Sequence, residues 1–257
     1  MSSSVHKLAS DLRAGRTVYT HWCGLPLPAV AGILAREPGY DAVTLDMQHS
    51  PMDFASAVQA IPLVAAAGKP CLVRIPVGEF QTASRLLDAG ASGIIAPMIN
   101  SVADARRFVE FTKFPPCGGR SWGPAPALAL SGLAPGDYFK TANDFCITFA
   151  MIETREALDA IDDILAVDGI DGVFVGPSDL SIGLSGGAAN DPLSAEVDAG
   201  LDHAAARAKA AAKFCGSYAA SGERAGDNAR RGYGFVAIGS DTNFLKKGAA
   251  AFRQAAG

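Results

Sequence analysis

Val173-Phe174-Val175-Gly176-Pro177-Ser178-Asp179-Leu180-Ser181 reads as a strand, a Gly-Pro stop, and a carboxylate just past the stop. An upstream stretch, Cys146-Ile147-Thr148-Phe149-Ala150-Met151-Ile152-Glu153-Thr154, repeats the plan: an apolar run, an acid, then a helix start. Neither run alternates apolar with polar residues. A strand without a polar face is covered on both sides, as in a parallel sheet flanked by helices.

The same unit recurs in both directions. Strand-like runs occupy residues 16–23, 40–47, 70–75, 93–98, 145–152, 172–175, 214–219 and 234–238. Helical spacing separates them, at residues 28–37, 53–67 and 80–89, after Ser101 and Thr154 as N-caps, and at 193–212, 221–231 and 241–254. A short leading helix covers residues 3–13. Eight α/β units in 257 residues predict one (β/α)8 TIM barrel over residues 1–257, a fold that typically takes about 250. An open doubly wound sheet is the second choice, and the missing G-x-G-x-x-G after the first strand counts against it. The rhythm breaks at residues 114–135, a Pro- and Gly-rich stretch with a short helix after it at 137–143. Long loops in compact domains are functional or mobile.

Composition narrows the function classes. The chain is 49% apolar and 19% charged with a net charge of −4, and both signs are scattered. No basic patch offers itself to nucleic acid. No apolar run approaches the roughly 20 residues that span a bilayer, and the first fifteen lack a signal-peptide core. The five cysteines (Cys23, Cys71, Cys117, Cys146, Cys215) are odd in number and never spaced CxxC. Reduced thiols in a cytoplasmic protein are the expectation.

In a TIM barrel the chemistry sits at the C-terminal strand ends. The polar residues there are Asp46 and His49 after the second strand, Arg74 at the third, Glu153 at the fifth and Asp179 after the sixth. Neighbouring strands lie about 4.8 Å apart, so Glu153 and Asp179 can share one ion. Two hard oxygen ligands suit Mg²⁺ or Mn²⁺ better than Zn²⁺. The plainer alternative is that both acids only favour the helix starts beside them. Arg74 is a lone charge in an apolar strand: either a cation for a developing oxyanion or half of a structural pair, with Asp46 as the partner. His49 carries a ring suited to moving protons. No lysine falls at a C-terminal strand end, so Schiff-base chemistry is not expected.

Taken in order, seven segments resemble the metal-dependent (class II) pyruvate aldolases of the 4-hydroxy-2-oxoheptanedioate aldolase and 2-dehydro-3-deoxyglucarate aldolase family, barrels of the phosphoenolpyruvate/pyruvate superfamily. They are Leu45-Asp46-Met47-Gln48-His49-Ser50-Pro51, Val73-Arg74-Ile75-Pro76, Leu86-Leu87-Asp88-Ala89-Gly90, Ala96-Pro97-Met98, Gly118-Gly119-Arg120-Ser121, Met151-Ile152-Glu153-Thr154 and Val175-Gly176-Pro177-Ser178-Asp179-Leu180-Ser181. The resemblance spans nearly the whole chain.

The resemblance implies reversible cleavage of 4-hydroxy-2-oxo acids into pyruvate, or a close 2-oxo acid, and an aldehyde. It implies Mg²⁺ or Mn²⁺, with Co²⁺ as a further option, held by Glu153 and Asp179 and stabilising the pyruvate enolate. Arg74 then bonds the keto or enolate oxygen, and His49 is the acid and base. Asp46 orders its loop or a metal-bound water, Trp22 is an aromatic near the substrate, and the Gly176-Pro177-Ser178-Asp179 turn holds the substrate carboxylate. Asp88 matches an aspartate that reaches a neighbouring subunit's His49, which implies a homo-oligomer, commonly a hexamer built as a trimer of dimers. Gln48 stands where the family usually has Glu, and Met151 where relatives often have Gln. The alternatives are a lyase of the same superfamily acting on a malyl- or citramalyl-CoA thioester, and a non-catalytic binding barrel. The thioester lyases usually carry extra chain for CoA, and the third reading predicts a broken polar constellation.

Overall fold

The structure is a computed structural model and describes residues 3–257. After α1 (Ser4–Arg13) come, among the described residues, eight strands: β1 (Val18–Cys23), β2 (Ala42–Asp46), β3 (Cys71–Arg74), β4 (Gly93–Ala96), β5 (Ile147–Ile152), β6 (Gly172–Val175), β7 (Phe214–Ala219) and β8 (Phe235–Ile238). Each pairs in parallel with the next, and β8 closes on β1. The fold is a (β/α)8 TIM barrel, as the unbroken apolar runs predict.

The returning helices are α2 (Pro28–Leu34), α3 (Phe54–Ala66), α4 (Phe80–Asp88), α5 (Val102–Thr112), α6 (Ala125–Ser131), α7 (Pro135–Phe145), α8 (Arg155–Asp159), α9 (Ile161–Leu165), α10 (Pro177–Leu184), α11 (Ala195–Ala210), α12 (Gly222–Arg230) and α13 (Asp241–Ala255). Many start on a side-chain cap: Asp53, Ser101, Thr154, Ser194, Ser221 and Ser240 each accept a backbone N–H from three residues on. These caps fix where strand-end loops turn into helices, and so they fix the mouth.

The barrel interior is filled by size matching. Phe149 stacks on Phe235 at 5.3 Å, and Phe174 meets both edge-on. Glycines make the room. A Cβ on Gly172 would sit 2.9 Å from Phe149 Cε1, and one on Gly216 would sit 2.8 Å from Phe174 Cδ2. Above this layer, the inward positions carry the polar residues of the site.

Several boundaries differ from the sequence reading. Strand β5 starts at Ile147 because α7 runs on through Phe145. The helix after Glu153 is broken at Ala160 into α8 and α9. The stretch at 114–135 is not one loop, since it contains α6. It also lies at the end of the barrel away from the strand C-termini. Lys113, at its start, donates 2.7 Å to the Cys146 carbonyl before β5 and 2.6 Å to Asp171 before β6. Both partners stand where strands begin. Lys113 is thus a buried structural cation, far from the mouth.

Candidate active site

At the C-terminal end of the strands lies a cavity of about 200 Å³. Its walls are Trp22 from β1, His49 from the loop after β2, Arg74 from β3, Met151 from β5, Phe174 from β6, Tyr218 from β7 and the turn Gly176–Asp179.

Asp46 organises one side. Its neighbour across the β2–β3 register is Arg74, whose Nε donates to Oδ1 at 2.8 Å while a terminal nitrogen donates to Oδ2 at 2.7 Å. Oδ2 also accepts from Trp22 Nε1 at 3.2 Å, and Oδ1 from the backbone N–H groups of Gln48 at 3.0 Å and His49 at 3.4 Å. Burial works against the Asp46 charge, but Arg74, the Gln48 amide and Trp22 outweigh it and hold this carboxyl below the usual range. Both Asp46 oxygens are thus occupied by donors. Ser50 closes the same loop by donating to the Asp46 carbonyl. The Arg74 guanidinium lies 4.9 Å from the Trp22 ring centroid, packed between a carboxylate and an indole. Arg74 is thus paired with Asp46 and also lines the cavity.

Glu153 organises the other side. It is 1% exposed. Its Oε1 accepts the Met98 backbone N–H at 2.8 Å, while Oε2 is buried with no hydrogen-bond partner. Burial pushes the carboxyl up to about 7, the nearby negative charge of Asp179 adds to that, and the Met98 amide and Arg74 oppose it. Asp179 sits half-buried in the first turn of α10. A buried carboxylate with one bare oxygen, beside a second carboxylate, is the arrangement a divalent cation relieves. The residues therefore fit a hard cation with two protein ligands. Among the described residues no group of three His, Cys, Asp or Glu side chains gathers for a richer site.

The start of α10 supplies the anion side. Gly176 precedes the helix with no side-chain cap, and Pro177 has no N–H. The Ser178 and Asp179 amides are left open at the helix N-terminus, a ready place for a carboxylate.

Asp88 is not part of this cavity. It is the last residue of α4, a helix that returns towards the strand N-termini, so Asp88 and His49 lie at opposite ends of one barrel. Asp88 Oδ1 accepts from the buried Arg120 at 2.7 Å. Tyr218, Phe174 and Met98 are not among the site residues that the sequence predicts. The period-two pattern could have found Tyr218, two residues after the inward Gly216. Nothing in the sequence marks a backbone N–H such as that of Met98.

The protein family described as HpcH/HpaI aldolase/citrate lyase matches residues 20–247. A hydroxypyruvate/pyruvate aldolase of Rhizorhabdus wittichii is 39% identical over 246 residues, covering 95% of this chain and 96% of that one. A 4-hydroxy-2-oxo-heptane-1,7-dioate aldolase of Salmonella dublin is 36% identical over 240 residues, covering 93% and 90%. The crystal structure of an HpcH/HpaI aldolase from Desulfitobacterium hafniense superposes with a TM-score of 0.87 at 28% identity, covering 96% and 95%.

Proposed function

Since this chain belongs to the HpcH/HpaI aldolase/citrate lyase family, and so is a carbon–carbon lyase, we propose that it joins pyruvate or a close 2-oxo acid to an aldehyde and reverses that reaction. The observation that carries this is a pair of devices at one small cavity: Arg74, held by Asp46, lines it, and behind its Gly176 wall lies Glu153 with a bare buried oxygen.

In this reading Glu153 and Asp179 hold Mg²⁺ or Mn²⁺. When bound, the ion supplies a Lewis acid for the C2 carbonyl and the adjacent carboxylate. The turn from Gly176 to Asp179 receives the substrate carboxylate. Arg74 directs its unpaired N–H groups to the C2 oxygen, where negative charge grows as the enolate forms. In cleavage, His49 takes the proton from the C4 hydroxyl, the C3–C4 bond breaks, and its electron pair passes into the enolate. The aldehyde leaves, and C3 takes a proton to give pyruvate. Trp22, Phe174 and Met151 keep water from the carbanion face. Met151, without a hydrogen-bonding amide, makes this wall apolar. The cavity suits a short 2-oxo acid better than a CoA thioester.

We further propose a homo-oligomer in which Asp88 of one copy meets His49 of the next, because within one barrel the two stand at opposite ends. Helix α13 supports assembly: of its fifteen residues only Asp241 is buried, and Leu245 and Phe252 are 58% and 85% exposed. Five free cysteines, four of them buried, favour the reducing cytoplasm.

The deciding experiment follows the C3 protons of pyruvate by NMR in D₂O, first with EDTA-treated protein and then with Mg²⁺ or Mn²⁺ added. Metal-dependent exchange is expected. Absence of exchange with every metal tried would remove the pyruvate reading.

A further inference from the structure

Met98 is one of two non-glycine residues with positive φ among the described residues, at 55°. The other, Ala212, follows a helix end, where this conformation is ordinary. Met98 follows β4 at the mouth of the barrel. A left-handed conformation disfavours any residue with a Cβ, and such outliers persist where surrounding structure enforces them. Here the enforced geometry has a visible result: the Met98 N–H donates to Glu153 Oε1 at 2.8 Å. The turn is tied a second time, by Thr154 Oγ1 donating to Asn100 Oδ1 at 2.8 Å. On the other flank, Gly176 leaves room for the second oxygen; a Cβ there would come within 2.9 Å of Glu153 Oε2.

We propose that the strained Met98 turn is a positioning device: its amide occupies Oε1 of Glu153, so that Oε2 alone is presented to a divalent cation. Gly176 keeps that oxygen clear. Met98 acts through its backbone, so its side chain is free to vary, which is why its type says nothing about its role. This rests on the metal reading of Glu153 given above.

The test replaces the Met98 amide by an ester, using the α-hydroxy analogue of methionine at position 98, and measures Mn²⁺ binding by calorimetry. Met98→Gly, which keeps the N–H and relieves the conformation, is the control. The ester is expected to bind Mn²⁺ about tenfold or more weakly, in line with the loss of a group that orients a ligand, while Met98→Gly stays close to the parent. In a Glu153→Ala background the ester should change nothing further. Amide hydrogen exchange gives a second readout that needs no metal: the Met98 N–H should be protected in the parent and exposed in Glu153→Ala. Parental Mn²⁺ affinity in the ester, or an unprotected Met98 amide in the parent, overturns the proposal while leaving the metal reading standing. A parent that binds no Mn²⁺ overturns both.

Discussion

Asp46 and Arg74 are register partners on neighbouring strands and are joined by two hydrogen bonds of 2.8 and 2.7 Å, with side chains only 6% and 10% exposed. Removing one member of such a pair strands the other charge. Asp46→Asn keeps the shape but leaves Arg74 unpaired, and should lower stability by about 3 kcal/mol, read as a shift in the urea midpoint.

The same pair gives a pH signature. The Asp46 carboxyl is held below its ordinary 3.8. A depressed acid contributes stability that is present above 3.8 and lost as pH falls through the lower folded value. Unfolding curves between pH 5 and pH 3 should therefore fall more steeply for the parent than for Asp46→Asn. Parallel curves would mean that another carboxylate dominates acid unfolding.

Arg74→Ala should slow C3 exchange of pyruvate by about a hundredfold or more while changing Mn²⁺ affinity little. Arg74→Lys should rescue poorly, because an ammonium cannot hold the Asp46 fork and face the cavity together. Exchange at the parental rate in Arg74→Ala would reduce the residue to a structural partner.

Glu153 runs the opposite way from Asp46. Its carboxyl is raised to about 7, so in metal-free protein the associated stability is full below its ordinary 4.5 and is lost as pH rises to about 7. A bound proton competes with a bound cation. Mn²⁺ affinity should climb about tenfold per pH unit up to pH 7 and then level off. Calorimetry at pH 5.5, 6.5 and 7.5 checks this; a flat profile would mean that Glu153 is ionised throughout. EDTA should abolish C3 exchange at every pH.

The sequence made the barrel legible because each strand is apolar on both faces, a pattern that local chemistry sets without help from distant parts. Glu153, Asp179, Arg74 and His49 were legible for a related reason: a charge at the end of an apolar run has nowhere to go but the mouth. Relations between chain-distant groups were not legible. The five donors that saturate Asp46 come from three segments, and no pattern announces them. The place of residues 114–135 was not legible because loop composition does not say at which end of the barrel a loop emerges. Lys113 and its partners at the strand starts decide that.

That placement has a consequence for Asp88. The carboxylate is held by Arg120, whose side chain is fully buried, while Asp88 itself keeps a quarter of its side chain exposed. A buried cation that fixes an acid at the surface suits a group meant for a neighbour. Asp88 lies at the opposite end of the barrel from His49 of its own chain, so any joint role requires two copies. Asp88→Ala and His49→Ala should each lose most activity. When the two inactive proteins are unfolded together and reassembled, about a quarter of the sites would draw an intact His49 from one copy and an intact Asp88 from another. Recovery of activity near that level is expected. If the mixture stays as inactive as its parents, Asp88 serves its own chain only, as the structural partner of Arg120.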